Sequence, residues 1–356
     1  MSDDLFSRLF ELFNQPGPVN WKLAAEVARH LTGERQPVDP WAADEFRALT
    51  RLAEFHVERV SPFRVPAATD VLPLDARGWA ERNLESYTGL VEPFAGSVVA
   101  EGPAAALFGQ MTPAIIGLQA GSLVGSLATW VMAGFDAGLP PDRVEALTVV
   151  VPNIERFSVP GVEASEVRLW AATNEVAFRT VCNIPWIHDH LATLVGALAE
   201  ASRIDPTKLS GLMMGGTDPS VIERAIEEAG GIEGLLGGED AAAPRAELEA
   251  FLGAIGGCSR LLARRAVENL CPNFDLITRH RDENRSADGV AAGPIGVGPV
   301  RPELTRAGET FNREVEDRYG DDALSVLWSD PSRMPTAAEL ADPTAWAARV
   351  LLEGWL

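Results

Sequence analysis

Between Glu101 and Asp136 the chain carries no charged side chain, and a run of that length has to be buried, in a protein core or in a bilayer. Its details argue for the core. Pro103 and Pro113 interrupt it, Gln110, Gln119, Ser122, Ser126 and Thr129 are scattered along it, and no Lys/Arg cluster flanks it to anchor a span. Gly117, Gly121 and Gly125 recur every four residues, which places them on one helix face where a second backbone can approach closely. The expectation is a set of apolar, Gly-rich core helices over 102–138. The competing reading is a membrane-associated protein that uses residues 102–135.

The rest of the chain reads as an ordinary globular protein. With 356 residues and 46% hydrophobic content it can bury a substantial core, and 1–356 is expected to be a single unit. Asn20 stands as an N-cap before apolar residues at helical spacing. From Pro40 to about Val60, Ala42, Phe46, Leu49, Ala53, Val57 and Val60 step by three and four, with Arg47, Arg51, Glu54 and Glu58 on the other face. The N-terminal part, 1–62, is therefore helical. The β-branched run from Ala146, ended by Pro152 and Asn153, reads as a buried strand. It opens a segment, 146–202, that continues with a helix from about Glu166 to Thr180 and another, restarted by Asn183 and Pro185, to about Ser202. Gly237 to Pro244 reads as a loop between helices, 282–302 as a long mobile loop, and 303–356 as a C-terminal helical part. The glycines of Gly293-Pro294-Ile295-Gly296-Val297-Gly298 are framed by neither a strand nor a helix, so they are no nucleotide fingerprint. The fold class is mainly α with a small β-sheet, α+β.

Charge excludes several partners. Thirty basic and 51 acidic side chains give a formal charge of −21, which repels nucleic-acid phosphates and anionic lipid at long range. No nucleic acid and no membrane surface are expected. Met1 to Phe6 has no basic n-region, which points to a cytoplasmic protein. Cys182, Cys258 and Cys271 form no C-x-x-C pair, so reduced, unreactive thiols are expected, and no G-x-S-x-G elbow is present.

Chemistry concentrates on one helix. Val167, Trp170, Ala171, Asn174, Phe178 and Val181 form one stripe, and Asn174-Glu175-Val176-Ala177-Phe178 follows a strand at the place where metallopeptidases carry H-E-x-x-H. That motif works because two His four apart aim their imidazoles at one zinc while the Glu between them deprotonates the metal-bound water. Four stretches then give a specific likeness: Gly17 to Trp21; Val150 to Ile154; Val167 to Trp170 with Pro185-Trp186 and Asp189-His190-Leu191; and Gly308 to Phe311 with Asp342 to Trp346. Through these the chain resembles a zincin-like family of actinobacteria and Chloroflexi, described as hydrolases or zinc-dependent metalloproteases. One branch of that family is associated with coenzyme F420 biosynthesis.

The resemblance implies a zincin-like metallopeptidase fold with a bound zinc, a metal motif similar to L-H-E-V-T-H-R, and a further acidic ligand from a segment like L-x-E-G. Here the motif reads Thr173-Asn174-Glu175-Val176-Ala177-Phe178-Arg179, and the later segment aligns with Ala254-Ile255-Gly256-Gly257. Asn174, Phe178 and Gly256 then occupy former metal-ligand positions, and Glu175 is a vestigial general base. Asn offers a weak neutral carbonyl and Phe offers none, so the expectation is a metal-free pocket with no cofactor, Phe178 filling it as core beside a hydrogen-bonded Asn174. His188 and His190, two apart on a helix, point about 200° from each other and cannot share a metal. His190 is expected to be held by local hydrogen bonds. The function implied is a degenerate metallopeptidase acting as a binding or scaffold protein, with a protein or peptide in the former substrate cleft. The alternative is an active zinc hydrolase with atypical ligands.

Overall fold

The computed structural model of the protein describes residues 17–67, 70–96, 105–142, 146–202, 239–287 and 297–352. Asn20 caps helix α1 (Trp21–Thr32) by accepting the Leu23 N–H at 3.0 Å on its side-chain oxygen. Helix α2 (Trp41–Val60) buries Ala42, Phe46, Ala53 and Val57, the stripe its periodicity marks. Strand β1 (Val71–Leu74) leads through Asp75, whose carboxylate accepts the Gly78 N–H at 2.8 Å, into α3 (Ala76–Asn83). A short α4 (Thr88–Ala95) precedes the long apolar helix α5 (Ala105–Ala128).

The glycine stripe of α5 lies against α1. A methyl added at Gly117 or Gly121 would overlap the carbonyl oxygens of Asn20 and Ala24, and one at Gly125 would press on Ala28, so these helices cross backbone to backbone. Among the described residues no helix is long and apolar enough to cross a membrane.

Strand β2 (Leu147–Val150) pairs in parallel with β1, Val71 opposite Leu147 and Leu74 opposite Val150. The strand is shorter than the sequence suggests, because Val151-Pro152-Asn153 opens α6 (Val151–Arg156) with Pro152 in the first turn, where its missing N–H costs nothing. Met132 to Gly134 run antiparallel along the other edge of β2, Val150 donating to the Met132 carbonyl at 2.8 Å and Gly134 to that of Thr148 at 3.1 Å.

Helices α7 (Ala164–Cys182) and α8 (Ile187–Ala201) follow as expected. Helix α9 (Ala242–Ala266) includes Pro244 in its first turn, so the loop expected over 237–244 gives way to helix from Ala242; Gly237 and Gly238 lie outside the described residues. The long loop expected over 282–302 is likewise interrupted. Helix α10 (Phe274–Ala287) runs through its first six positions and α11 (Pro302–Tyr319) begins at its last, while 288–296 lie outside the described residues. Two short helices, α12 (Asp321–Leu327) and α13 (Pro343–Ala347), follow, and a π-helical stretch over Ala348–Leu352 ends the described residues. The protein is mainly helical with one small sheet, and α7 sits in the core between α2, α9 and α10.

Candidate functional site

The stripe of α7 faces a cavity of about 70 Å³ that Asn174, Glu175, Phe178 and Gly256 all line, so helices α7 and α9 bring the sequence-marked positions together. Trp170 fixes one wall by donating its indole N–H to the Thr278 hydroxyl at 2.9 Å, which ties α7 to α10. Asn174 spends its side-chain N–H on the Trp170 carbonyl one turn back, at 2.8 Å. Phe178 stacks on Phe135, ring centroids 5.1 Å apart, and is 7% exposed.

Glu175 is only 3% exposed. Its two carboxylate oxygens accept the backbone N–H groups of Gly134 at 3.0 Å and Phe135 at 2.9 Å, tying α7 to the segment that covers the β2 edge. Burial pushes its pKa up to about 8, against the opposing pull of those two amides. A second cavity, of about 690 Å³, is lined by Arg82, Asp142 and Thr148 and also meets Glu175. The buried Tyr87 phenol, whose pKa burial and the nearby Glu175 raise, has no hydrogen-bond partner for its hydroxyl among the described residues.

Zinc does not suit this donor set. Zinc sites are built from imidazole, thiolate or carboxylate. At the three positions the resemblance marks stand an amide, whose only ligating atom is a neutral carbonyl oxygen, a benzyl ring and a glycine. Among the described residues no group of three or more His, Cys, Asp and Glu side chains is placed to hold a metal ion. The histidines are dispersed: His30 on α1, His56 against Phe55 on α2, His280 against Phe157, and His188 with His190 on α8. His190 is held by rings, its imidazole edge-on to Phe251 at 4.8 Å and to Trp186 at 6.0 Å, where local hydrogen bonds were expected. Cys182, Cys258 and Cys271 are all buried and free.

What the sequence did not mark is the charge on the far wall. Arg260 of α9 forms a bidentate ion pair with Asp282 of α10 at 2.8 and 2.9 Å. Arg281 reaches Asp136 and donates to the Trp130 carbonyl at 2.8 Å, and Arg285 donates to the Val300 carbonyl at 2.7 Å. Burial raises the Asp136 carboxyl, but the guanidiniums of Arg281 and Arg285 outweigh it and hold the group below the usual carboxylate range. One signal was available. Arg260 is the sole charge between Glu249 and Arg264, and Arg281 and Arg285 stand four apart on one helix face.

A crystal structure of a candidate hydrolase with a novel fold, from Chloroflexus aurantiacus, superposes with a TM-score of 0.66 at 19% sequence identity, over 93% of this chain and 98% of that one. This likeness supports the fold. A search of curated proteins finds no match. The sequence pattern of the zincin-like metallopeptidases matches residues 19–347, nearly the whole chain. Matched almost end to end by that pattern, with Glu175 on a buried helix, this protein is a member of the zincin-like metallopeptidase family.

Proposed function

We propose that this chain is a zincin-like metallopeptidase homologue that has exchanged its zinc ligands for packing and works as a non-catalytic binding protein. The observation that supports the reading best is Phe178. It occupies the second ligand position of the resembled motif and stacks on Phe135, so its space serves the core. Glu175 fits the same reading, because both oxygens that a general base would turn toward water are taken by backbone N–H groups. A carboxyl raised to about 8 is also mostly protonated at neutral pH, and a neutral acid removes no proton from water.

With one edge of β2 already covered, a bound peptide would engage the cavity mouth rather than add to that strand. Calorimetric titration of chelator-treated protein with zinc tests the reading. The expected result is no stoichiometric uptake at neutral pH. One equivalent bound at about micromolar affinity or tighter, weakened by Glu175→Gln, would overturn it.

A further inference from the structure

The larger cavity, of about 690 Å³, lies where the end of α3, the start of α4 and strand β2 meet, and its size falls in the range of sites for small organic ligands. Five charged side chains line it, Arg82 against Glu85, Glu92, Asp142 and Glu175. Two of those carboxylates can be set aside as balanced. Arg179 acts electrostatically on Glu175, and Arg82 is counted against Asp142, whose carboxylate also accepts the Gly89 N–H at 2.6 Å. Glu85 and Glu92 remain, with no ion pair among the described residues. Lys22, beside Trp21 in sequence, does not line the cavity and would still leave one carboxylate over. Arg143 and Glu145, outside the described residues, carry one charge of each sign.

An acidic rim alone would hold any cation loosely, because exposed charges are screened by water and salt. The floor adds direction. Asn83 and Thr148 line the cavity at 6% and 4% exposure. Asn83 donates its amide N–H to the Trp79 carbonyl at 2.9 Å, while its side-chain oxygen and the Thr148 hydroxyl take no hydrogen bond among the described residues. Neither oxygen is among the sealed polar atoms that lack a partner, so both keep access to the cavity beside them. A methyl at Gly134 would stand 3.0 Å from Thr148 Oγ1 and 2.7 Å from Glu175 Oε1, so the bare backbone there leaves these oxygens side by side. Buried acceptors that face a cavity call for a donor.

We infer that this cavity binds an aliphatic ammonium, its head on the side-chain oxygens of Asn83 and Thr148 and its carbon chain running out past Glu85 and Glu92. An ammonium is a compact charge with three diverging N–H groups, which suits single oxygens on separate side chains, whereas a planar guanidinium is matched to a carboxylate that it can grip with two bonds. The volume exceeds what one ammonium needs and leaves room for a chain that carries a second cation to the rim. The rim then draws the ligand in, and the floor selects it.

Ligand-observed NMR on chelator-treated protein at low ionic strength, with cadaverine as the probe and 1-pentanol as the neutral comparator, tests the inference. Saturable cadaverine binding at about millimolar affinity or tighter is expected, with no competition from pentanol. Any cation is drawn to a chain of formal charge −21, so variants separate the site from the general field. Thr148→Val keeps both shape and charge and removes a hydroxyl that holds no bond; folded by circular dichroism, it should weaken cadaverine by about tenfold. Glu85→Gln with Glu92→Gln should weaken it by about threefold or more, whereas Glu34→Gln with Glu58→Gln, the same change of net charge on exposed residues away from the cavity, should not. Should Thr148→Val fail to fold, the contrast between the two glutamate pairs decides. A free oligoamine and the lysine of a bound peptide share this chemistry. A capped tripeptide with a central lysine separates them: tighter binding than cadaverine supports the peptide source, and the reverse supports the free amine. No saturable cadaverine binding, unaltered binding in folded Thr148→Val, or an equal loss in both glutamate pairs overturns the inference.

The site stands apart from the reading of the motif cavity. No zinc enters these titrations, so their failure leaves that reading in place, and zinc uptake in calorimetry would overturn that reading while leaving the ammonium site in place.

Discussion

Glu175 is the side chain on which sequence, geometry and titration meet. In the unfolded chain it ionises near the ordinary value of 4.5, whereas in the core burial moves it to about 8. Between those limits the folded protein binds more protons than the unfolded one, so this group's contribution to stability is full below about 4.5 and is lost as pH rises toward about 8. Glu175→Gln has no such titration. It leaves one of the Gly134 and Phe135 N–H groups facing an amide nitrogen, a constant cost at every pH. The expected outcome is that the melting temperature of the wild type falls relative to the Gln variant between about pH 5 and about pH 8.5, as read by scanning calorimetry. Parallel melting curves over that range would show that the carboxyl is ionised in the folded protein throughout.

Helices in this protein are placed by what glycine leaves out. Gly257 of α9 and Gly308 of α11 sit where the two helices cross, and a methyl at either would overlap the partner's backbone, Gly308 and Glu309 in one case and Gly253 in the other. Backbone cannot swing aside as a side chain can, so Gly257→Ala and Gly308→Ala should each destabilise by about 3 kcal/mol or more in denaturant titration. Gly196, inside α8, has no neighbour among the described residues beyond its own helix backbone within 4 Å of the place a methyl would take, and should behave oppositely. There Ala should stabilise by about 0.5–1 kcal/mol, because it restricts the unfolded chain and favours helix. The contrast separates close crossing from intrinsic propensity. It also shows what sequence can convey about elements. The regular four-residue spacing of Gly117, Gly121 and Gly125 announces a crossing face, whereas Gly257 and Gly308 are single residues on different helices whose meeting depends on tertiary structure. Strand β1 was invisible for a related reason: four residues including Pro73 carry little alternation, and pairing with β2 makes them a strand.

At the scale of the whole molecule, the site was legible where its residues are close in sequence and illegible where it is assembled from distant segments. Asn174, Glu175 and Phe178 declare a shared face through helical spacing, and the family likeness adds Gly256, which lines the same cavity. The arginine wall joins α9, α10 and the turn at Asp136, and no local pattern in those three segments points to the others. If the fold keeps the family's ligand geometry, imidazoles at 174 and 178 should meet a metal again. Asn174→His with Phe178→His gives two donors four apart on α7, and Gly256→Glu adds a carboxylate from α9, though Arg260 four residues on competes for it. Replacing Phe178 removes its stack on Phe135 and should cost about 1–3 kcal/mol, so the variants are first compared with wild type by circular dichroism and thermal melting. Folded double and triple variants should bind zinc at least about a hundredfold tighter than wild type, the triple most tightly, because each added donor is of a type zinc prefers. Equal zinc affinity in folded triple variant and wild type would mean that these three positions do not converge on one point, and that the spacing of 174 and 178 on α7 serves packing alone.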